Sequence, residues 1–146
     1  DVIGATVVAL LLAEGHFAAL WAGDSRLYRL RDGEIEMLTT DHSVVAALVE
    51  AGHMSWDEAE HHPQSNAITR AVGVGDELEL EKIKGDILSG DRFLICSDGL
   101  TKYATFEMLR KSLSEQPIEV ICDHLIQIAL AGGGGDNITT AVIDII

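Results

Sequence analysis

Residues 92–100 read Arg-Phe-Leu-Ile-Cys-Ser-Asp-Gly-Leu, an apolar run that enters a tight turn at Asp98. The run from Phe93 to Cys96 predicts a buried strand, and the Asp-Gly pair after it is typical of a turn. The stretch therefore places a carboxylate at the end of a strand. Taken alone, this turn has a purely structural interpretation, since Ser97 or Asp98 can cap a helix that begins near Leu100.

Two other aspartates meet strand-like runs in the same way. Asp24, within Gly23-Asp24-Ser25-Arg26, follows the run from Phe17 to Ala22, and Asp136, within Gly135-Asp136-Asn137, precedes the run from Ile138 to Ile146. In an antiparallel sheet the end of one strand and the start of its neighbour share an edge, so one edge would collect three carboxylates. Such crowding is tolerable only around cations.

Carboxylate oxygens and water are the ligands that Mg²⁺ and Mn²⁺ prefer. Two such ions can lower the pKa of a bridging water and hold a phosphoryl group for in-line attack. The three aspartate turns therefore predict a hard-metal site and hydrolytic phosphate chemistry. His61 and His62 lie in a polar stretch at a helix end, which favours solvated surface over a metal site. Arg26 and Arg70 are either phosphate-binding groups or members of surface ion pairs.

Composition narrows the class of protein. The 146 residues are enough for one domain with a core, and 47% of them are apolar. A net charge of −14 argues against nucleic acid and anionic membranes as partners, and no segment has the apolar length of a membrane span. The two cysteines, Cys96 and Cys122, predict free thiols in a reducing cytoplasm rather than a disulfide framework.

The periodicity of the chain predicts an α+β fold. Strands, then helices, then a returning strand suggest helices that cover the outer face of an antiparallel sheet system. The predicted strands are Ala5–Ala13, His16–Ala22, Leu27–Arg31, Glu34–Leu38, Leu78–Ile83, Arg92–Cys96 and Asn137–Ile146, with turns at Asp32-Gly33 and Gly85-Asp86. The predicted helices cover Val44–Val49 (capped by Asp41 or Ser43 and ended by Gly52), a short segment after a capping box at Ser55, about Thr101–Leu113, and a segment from Pro117 to the four glycines at 132–135.

Five ordered motifs together resemble a known family. They are Gly23-Asp24-Ser25-Arg26, Leu38-Thr39-Thr40-Asp41-His42-Ser43, His62-Pro63 through Asn66 to Arg70-Ala71-Val72-Gly73, Gly90-Asp91 through Ser97-Asp98-Gly99-Leu100, and Gly135-Asp136-Asn137-Ile138-Thr139. This order resembles the metal-dependent protein phosphatases of the 2C type, also called PPM, and bacterial members most. The similarity covers essentially all of residues 1–146 as a single domain.

The resemblance implies hydrolysis of phosphoserine and phosphothreonine on proteins, at a centre of two or three Mn²⁺ or Mg²⁺ ions. It implies two packed antiparallel sheets flanked by helices, an α-β-β-α sandwich. Asp98 and Asp136 correspond to ligands of the core metals, and Asp24 to a ligand of a third. Residues 41–73 resemble a flap beside the active site, so substrate contacts are expected around His62, Asn66 and Arg70. The implied partners are phosphoproteins made by a serine/threonine kinase in the cytoplasm.

Two departures from the family pattern leave alternatives open. Lys102 stands four residues after Asp98, where the family often has a further aspartate. The upstream acidic ligand, Asp-Gly ligand and phosphate-binding arginine of the family have no counterpart here, so the N-terminal part of the domain is expected to be missing. This leaves open whether the chain alone is active. The alternatives are a non-catalytic regulatory or binding domain that retains the fold, and a hydrolase that acts on regulators of transcription factors.

Overall fold

The structure is a computed structural model, and it describes residues 3–75 and 77–146. In chain order its elements are β1 (Val7–Ala13), β2 (His16–Ala22), β3 (Arg26–Arg31), β4 (Glu34–Met37), α1 (Ala46–Glu50), α2 (Trp56–Ala59), β5 (Glu81–Asp86), β6 (Arg92–Cys96), α3 (Asp98–Thr101), α4 (Phe106–Glu115), α5 (Ile121–Ala131) and β7 (Thr140–Asp144). They form two compact units. Unit 1 is Asp1–Ser25 with Thr39–Gly85, and unit 2 is Arg26–Leu38 with Asp86–Ile146.

Unit 1 is built on a three-stranded sheet in the order β1-β2-β5. The hairpin between β1 and β2 pairs Ala13 with His16 across a two-residue turn, and both turn residues, Glu14 and Gly15, have positive φ. Such a turn matches the right-handed twist of the flanking strands. Along β2, Phe17 and Trp21 are buried on one face, so the apolar alternation of the sequence fixes which side of this strand faces the core.

Unit 2 is built on a four-stranded sheet in the order β4-β3-β6-β7. The Asp32-Gly33 hairpin is confirmed, with φ of 52° and 78°, and β6 pairs antiparallel with both β3 and β7. The helices α3, α4 and α5 bury their apolar stripes in one core with this sheet. Its buried members are Tyr28, Leu30, Leu94, Cys96, Leu100, Ala104, Leu109, Leu113, Ile121, Leu125 and Ala129.

The helical predictions for unit 2 are partly wrong. The helix expected from about Thr101 to Leu113 begins only at Phe106, as α4, and Thr101 instead ends α3. The Thr105 side chain accepts a hydrogen bond from the Met108 N–H at 3.2 Å and so caps a new helix. The helix expected from Pro117 begins at Ile121. The intervening turn uses the Pro117 carbonyl, which accepts from the N–H groups of Val120 and Ile121.

Two predictions for unit 1 also need correction. The strand expected over Leu78–Ile83 is β5, Glu81–Asp86, so the Gly85-Asp86 pair is not a turn but strand. Neither Asp41 nor Ser43 caps α1, whose N-cap is Val45 with no side-chain hydrogen bond. The capping box at Ser55 is confirmed, because Ser55 Oγ accepts from the Glu58 N–H and the Glu58 side chain from the Ser55 N–H.

Cys96 is buried in the core of unit 2, Cys122 is half-buried, and both thiols are free, as predicted. Among the residues that the structure describes, no helix combines the length and apolar character that crossing a membrane requires.

Candidate metal centre

Two turns of unit 2 are joined at the edge of its sheet, at the end of β6 and the start of β7. The Ser97 N–H donates to the Thr139 carbonyl at 3.0 Å, and the Thr139 N–H donates to Ser97 Oγ at the same distance. These reciprocal bonds hold the turn that carries Asp98 against the loop that carries Asp136. The shared-edge argument from the sequence therefore holds for these two carboxylates.

Gly99 allows this close approach. A Cβ on Gly99 would lie 2.0 Å from the carbonyl oxygen of Asn137, well inside any real contact distance. The Asn137 N–H in turn donates to Asp136 Oδ1 at 2.7 Å, so the same short segment orients the second carboxylate. Glycine is thus required here by packing of backbone on backbone, not by an unusual φ angle.

We expect Gly99→Ala to destabilise unit 2 by about 2–3 kcal/mol, the range of overpacking in a close contact, although alanine is the better helix former. Urea denaturation measures this free energy. The matched control is Gly33→Ala, where no atom lies within 4 Å and only the positive φ opposes the methyl group, so about 1 kcal/mol is expected. Equal costs for the two variants would contradict the packing role of Gly99.

A lysine ammonium lies between the two carboxylates. Lys102 Nζ is 3.4 Å from Asp98 Oδ2 and 3.4 Å from Asp136 Oδ2. The three side chains are partly exposed, with relative accessibilities of 28% for Lys102, 31% for Asp98 and 40% for Asp136. Both acids therefore face one cationic position at the protein surface.

The electrostatics of this cluster favour the charged forms. The Asn137 N–H, and after it the hydrogen bond and charge of Lys102, hold the pKa of Asp136 below its ordinary value. Burial acts to lower the pKa of Lys102, but the charge of Asp98 and the hydrogen bond to Asp136 outweigh it, and the pKa is raised. At neutral pH Asp136 and Lys102 therefore carry opposite charges.

Tyr103 orders the loop before Asp136. Its hydroxyl accepts a hydrogen bond from the Gly135 N–H at 3.0 Å, and its ring packs over Gly132, where an added Cβ would lie 2.7 Å from Tyr103 Cβ. The sequence pattern explains the four glycines only as the end of a helix. Gly132 is the C-cap of α5, but the glycine run also lets the Tyr103 side chain pack directly against the backbone.

Asp24 belongs to unit 1, where His42 orders its turn. The Gly23 N–H donates to His42 Nδ1 at 3.0 Å, and the His42 N–H donates to the Gly23 carbonyl at 2.9 Å. The His42 ring stacks on Trp21 and its Nε2 lies 3.0 Å from Glu81 Oε1. Asp24 itself is 8% exposed. Its participation in one centre with the two acids of unit 2 stays a prediction.

The residues expected to contact substrate all lie in unit 1. His62 Nδ1 accepts from the Gln64 N–H at 3.1 Å, and Asn66 is exposed. The Arg70 guanidinium lies 3.7 Å from Glu79 and 3.8 Å from Glu81, so acidic neighbours surround it. Arg26, in unit 2, is not on the surface as its ion-pair interpretation expected: its side chain is buried and donates to the Tyr28 hydroxyl at 2.8 Å.

The carboxylates of Asp98 and Asp136 fit a hard divalent cation. Within residues 3–75 and 77–146, no group of three or more His, Cys, Asp or Glu side chains converges, so a metal ion here would take two protein carboxylates and complete its shell with water. Mg²⁺ commonly binds through one or two carboxylates and keeps several waters, and Mn²⁺ accepts the same oxygen ligands. Asp98 and Asp136 supply such a pair, and the Lys102 ammonium already marks a cationic position between them.

Comparison with known proteins identifies homologues of this chain. The serine/threonine protein phosphatase PstP of Mycobacterium tuberculosis is 38% identical over 144 residues, which are 99% of this chain and 28% of PstP. The PPM Ser-Thr phosphatase MsPP of Mycobacterium smegmatis, solved in complex with cacodylate, matches with a TM-score of 0.89 and 38% identity over 98% of this chain and 63% of its own. Homologues of this chain are thus bacterial PPM serine/threonine phosphatases.

A third match concerns the metal. The catalytic domain of PstP, solved in complex with two manganese ions, matches this chain with a TM-score of 0.84 and 37% identity, over 95% of this chain and 57% of the solved one. These structures confirm the fold class predicted from the sequence, two antiparallel sheets with helices. No protein-family model matches the chain. This chain thus spans less than two thirds of the length of each of these relatives.

Proposed function

We propose that this chain is part of a metal-dependent phosphatase that hydrolyses phosphoserine and phosphothreonine on proteins. One observation carries the proposal. Asp98 and Asp136 lie on two turns that hydrogen bonds hold together, and each directs a carboxylate oxygen at the same cation, the Lys102 ammonium. The relatives are named serine/threonine phosphatases, and one of them was solved with two manganese ions, which supports Mn²⁺ as the metal. The substrates would be phosphoproteins made by a serine/threonine kinase.

In this proposal Asp98 and Asp136 hold Mn²⁺ or Mg²⁺, and Asp24 holds a further ion. Asp24 enters through its sequence motif, Gly23-Asp24-Ser25-Arg26, rather than through its position in unit 1. When bound, the metal lowers the pKa of water and neutralises the charge of the phosphoryl group. The chain itself fixes the ligand oxygens: the Asn137 N–H orients Asp136, and the Ser97–Thr139 bonds position Asp98.

The segment 41–73 would influence the choice of substrate as a flap, with His62, Asn66 and Arg70 in contact with the phosphopeptide. Arg70 suits this role because its guanidinium is partly exposed. Its neighbours Glu79 and Glu81 lie beyond normal hydrogen-bond distance, so a phosphate could compete for the arginine.

The alternative is a non-catalytic domain that retains the fold. Lys102 favours this alternative, because its ammonium satisfies the two acids without any metal. The retained Asp98, Asp136 and Asp24 favour the enzyme. Loss of catalysis would remove the need for three acidic turns of this kind.

The test is hydrolysis of a phosphothreonine peptide as a function of Mn²⁺ concentration, with release of phosphate as the readout. We expect turnover that requires Mn²⁺ and disappears in EDTA. The assay is run on this chain and on a chimera in which it replaces the aligned 57% of the PstP catalytic domain. A folded chimera that binds Mn²⁺ but releases no phosphate would overturn the enzymatic proposal and favour the non-catalytic domain.

A further inference from the structure

Lys102 occupies a special position relative to the two acids. It is the C-cap residue of α3, the helix that Asp98 begins, and its N–H donates to the Asp98 carbonyl at 3.0 Å. The backbone of Lys102 is therefore fixed one helical turn from Asp98. From there its side chain places Nζ 3.4 Å from an oxygen of each acid.

The ammonium and a divalent ion would use the same oxygens. A metal ion needs carboxylate oxygens at about 2.1 Å, and the Oδ2 atoms of Asp98 and Asp136 are the ones that Lys102 approaches. A second cation beside the ammonium would be repelled at close range in a partly desolvated place. The two cations therefore exclude each other from the position between the acids.

We propose that Lys102 is a built-in competitor for the divalent cation, so that metal loading requires its ammonium to leave Asp98 and Asp136. This inference rests on the proposed metal centre. The ammonium can move away from the two acids readily, because the lysine side chain is 28% exposed and has a flexible four-carbon stem. As a consequence, a higher metal concentration is needed to half-saturate the site. When metal is scarce, Asp98 and Asp136 remain paired with Lys102.

The experiment compares Mn²⁺ binding by the wild-type chain and by Lys102→Met, using isothermal titration calorimetry without substrate. Methionine keeps the length and apolar character of the stem and removes the charge. We expect the dissociation constant for Mn²⁺ to fall by at least about tenfold, because one nearby positive charge is gone. The matched control is Lys111→Met on α4, an exposed lysine of the same unit, for which no change is expected.

Thermal unfolding provides a readout that an ordinary surface ion pair would not give. Without metal, the Tm of Lys102→Met should lie below that of the wild type, because two carboxylates lose their shared counter-ion. Saturating Mn²⁺ should remove this difference, because the metal ion replaces the ammonium. An ion pair with only a structural role would lower Tm equally with and without Mn²⁺ and leave the dissociation constant unchanged, and this result would overturn the proposal.

A double variant tests whether the gain in Mn²⁺ affinity depends on Asp98. Adding Asp98→Asn to Lys102→Met should abolish the tightened binding, because the two substitutions act on one site. Tightened binding that survives Asp98→Asn, or no Mn²⁺ binding by either wild type or Lys102→Met, would also contradict the competition. If binding behaves as expected but no phosphate is released, the enzymatic proposal fails and the role of Lys102 stands.

Discussion

Asp98→Asn is expected to lower the Mn²⁺-dependent kcat/KM for a phosphothreonine peptide by about a thousandfold, and Asp136→Asn by a similar factor. Asparagine has the same shape but lacks the charge that holds a divalent cation, and removal of one key electrostatic group typically costs two to three orders of magnitude. The measurement is steady-state phosphate release by the chain or by its chimera with PstP. Full activity in either variant would contradict the assignment of that residue.

The matched control for these variants is Asp123→Asn. Asp123 is an exposed aspartate in the first turn of α5, in the same unit. The same loss of one negative charge there should leave kcat/KM within about twofold, since surface substitutions away from special features have small effects. A comparable loss in Asp123→Asn would show that net charge, rather than the position of Asp98 and Asp136, controls the activity.

The second large effect concerns an ion pair inside unit 2. Arg31 donates through Nε to Asp91 Oδ1 at 2.8 Å and through Nη2 to Asp91 Oδ2 at 2.6 Å, while the Leu88 N–H donates to the same carboxylate. The Asp91 side chain is 1% exposed. We expect Asp91→Asn to lower the free energy of unfolding by about 3 kcal/mol at pH 7, because it leaves the guanidinium without its buried partner.

This contribution should depend on pH in a defined direction. The hydrogen bond from Arg31 is the main cause that lowers the pKa of Asp91 below its ordinary value of 3.8, and burial opposes it. A group whose pKa is depressed in the folded state contributes fully above its unfolded pKa, and the contribution is lost as pH falls through the folded pKa. The difference between wild type and Asp91→Asn should therefore be constant from pH 7 to about 5 and shrink below about 4.

Urea denaturation at pH 7, 5 and 3 measures this dependence. The control is Glu36→Gln, which breaks the 2.8 Å pair between Arg29 and Glu36, whose carboxylate side chain is 62% exposed. Exposed pairs contribute little, so a change of at most about 0.5 kcal/mol is expected. A pH-independent cost for Asp91→Asn, or equal costs for both variants at pH 7, would contradict the role given to Asp91.

The parts of the fold that the sequence predicted are those with strong local signals. The strand His16–Ala22 has the predicted bounds because its turn, Glu14-Gly15, and its apolar alternation are both local. The capping box at Ser55 likewise depends on atoms three residues apart. In contrast, the periodicity continues smoothly from Thr101 to Leu113, so the break that Thr105 introduces was not evident from the pattern.

The misplaced strand β5 has a non-local cause. Leu78 and Leu80 look like strand residues, yet both are exposed and precede the strand. The strand instead includes Gly85, which lies against Phe17: a Cβ there would be 2.5 Å from Phe17 Cε1. A glycine that looks like a turn signal is thus a point of close packing between two strands, and single-chain periodicity carries no information about this contact.

The candidate site also has one part that could be predicted from the sequence and one part that could not. The aspartate turns at residues 98 and 136 were predictable because antiparallel neighbours share an edge, and the Ser97–Thr139 bonds realise that edge. The position of Lys102 between the two acids was not predictable, because it depends on a rotamer and on the backbone contact at Gly99. His42 supports the Gly23 turn from 19 residues away, and the only sequence signal for this role was the motif Asp41-His42-Ser43.

The most direct test of the central claim, that Asp98 and Asp136 together hold the divalent cation, is anomalous diffraction from crystals of this chain grown with Mn²⁺. We predict a manganese peak about 2.1 Å from a carboxylate oxygen of each aspartate, with the Lys102 ammonium displaced from both. Crystals with saturating Mn²⁺ in which Lys102 still joins Asp98 to Asp136 and no peak lies beside either acid would contradict the account.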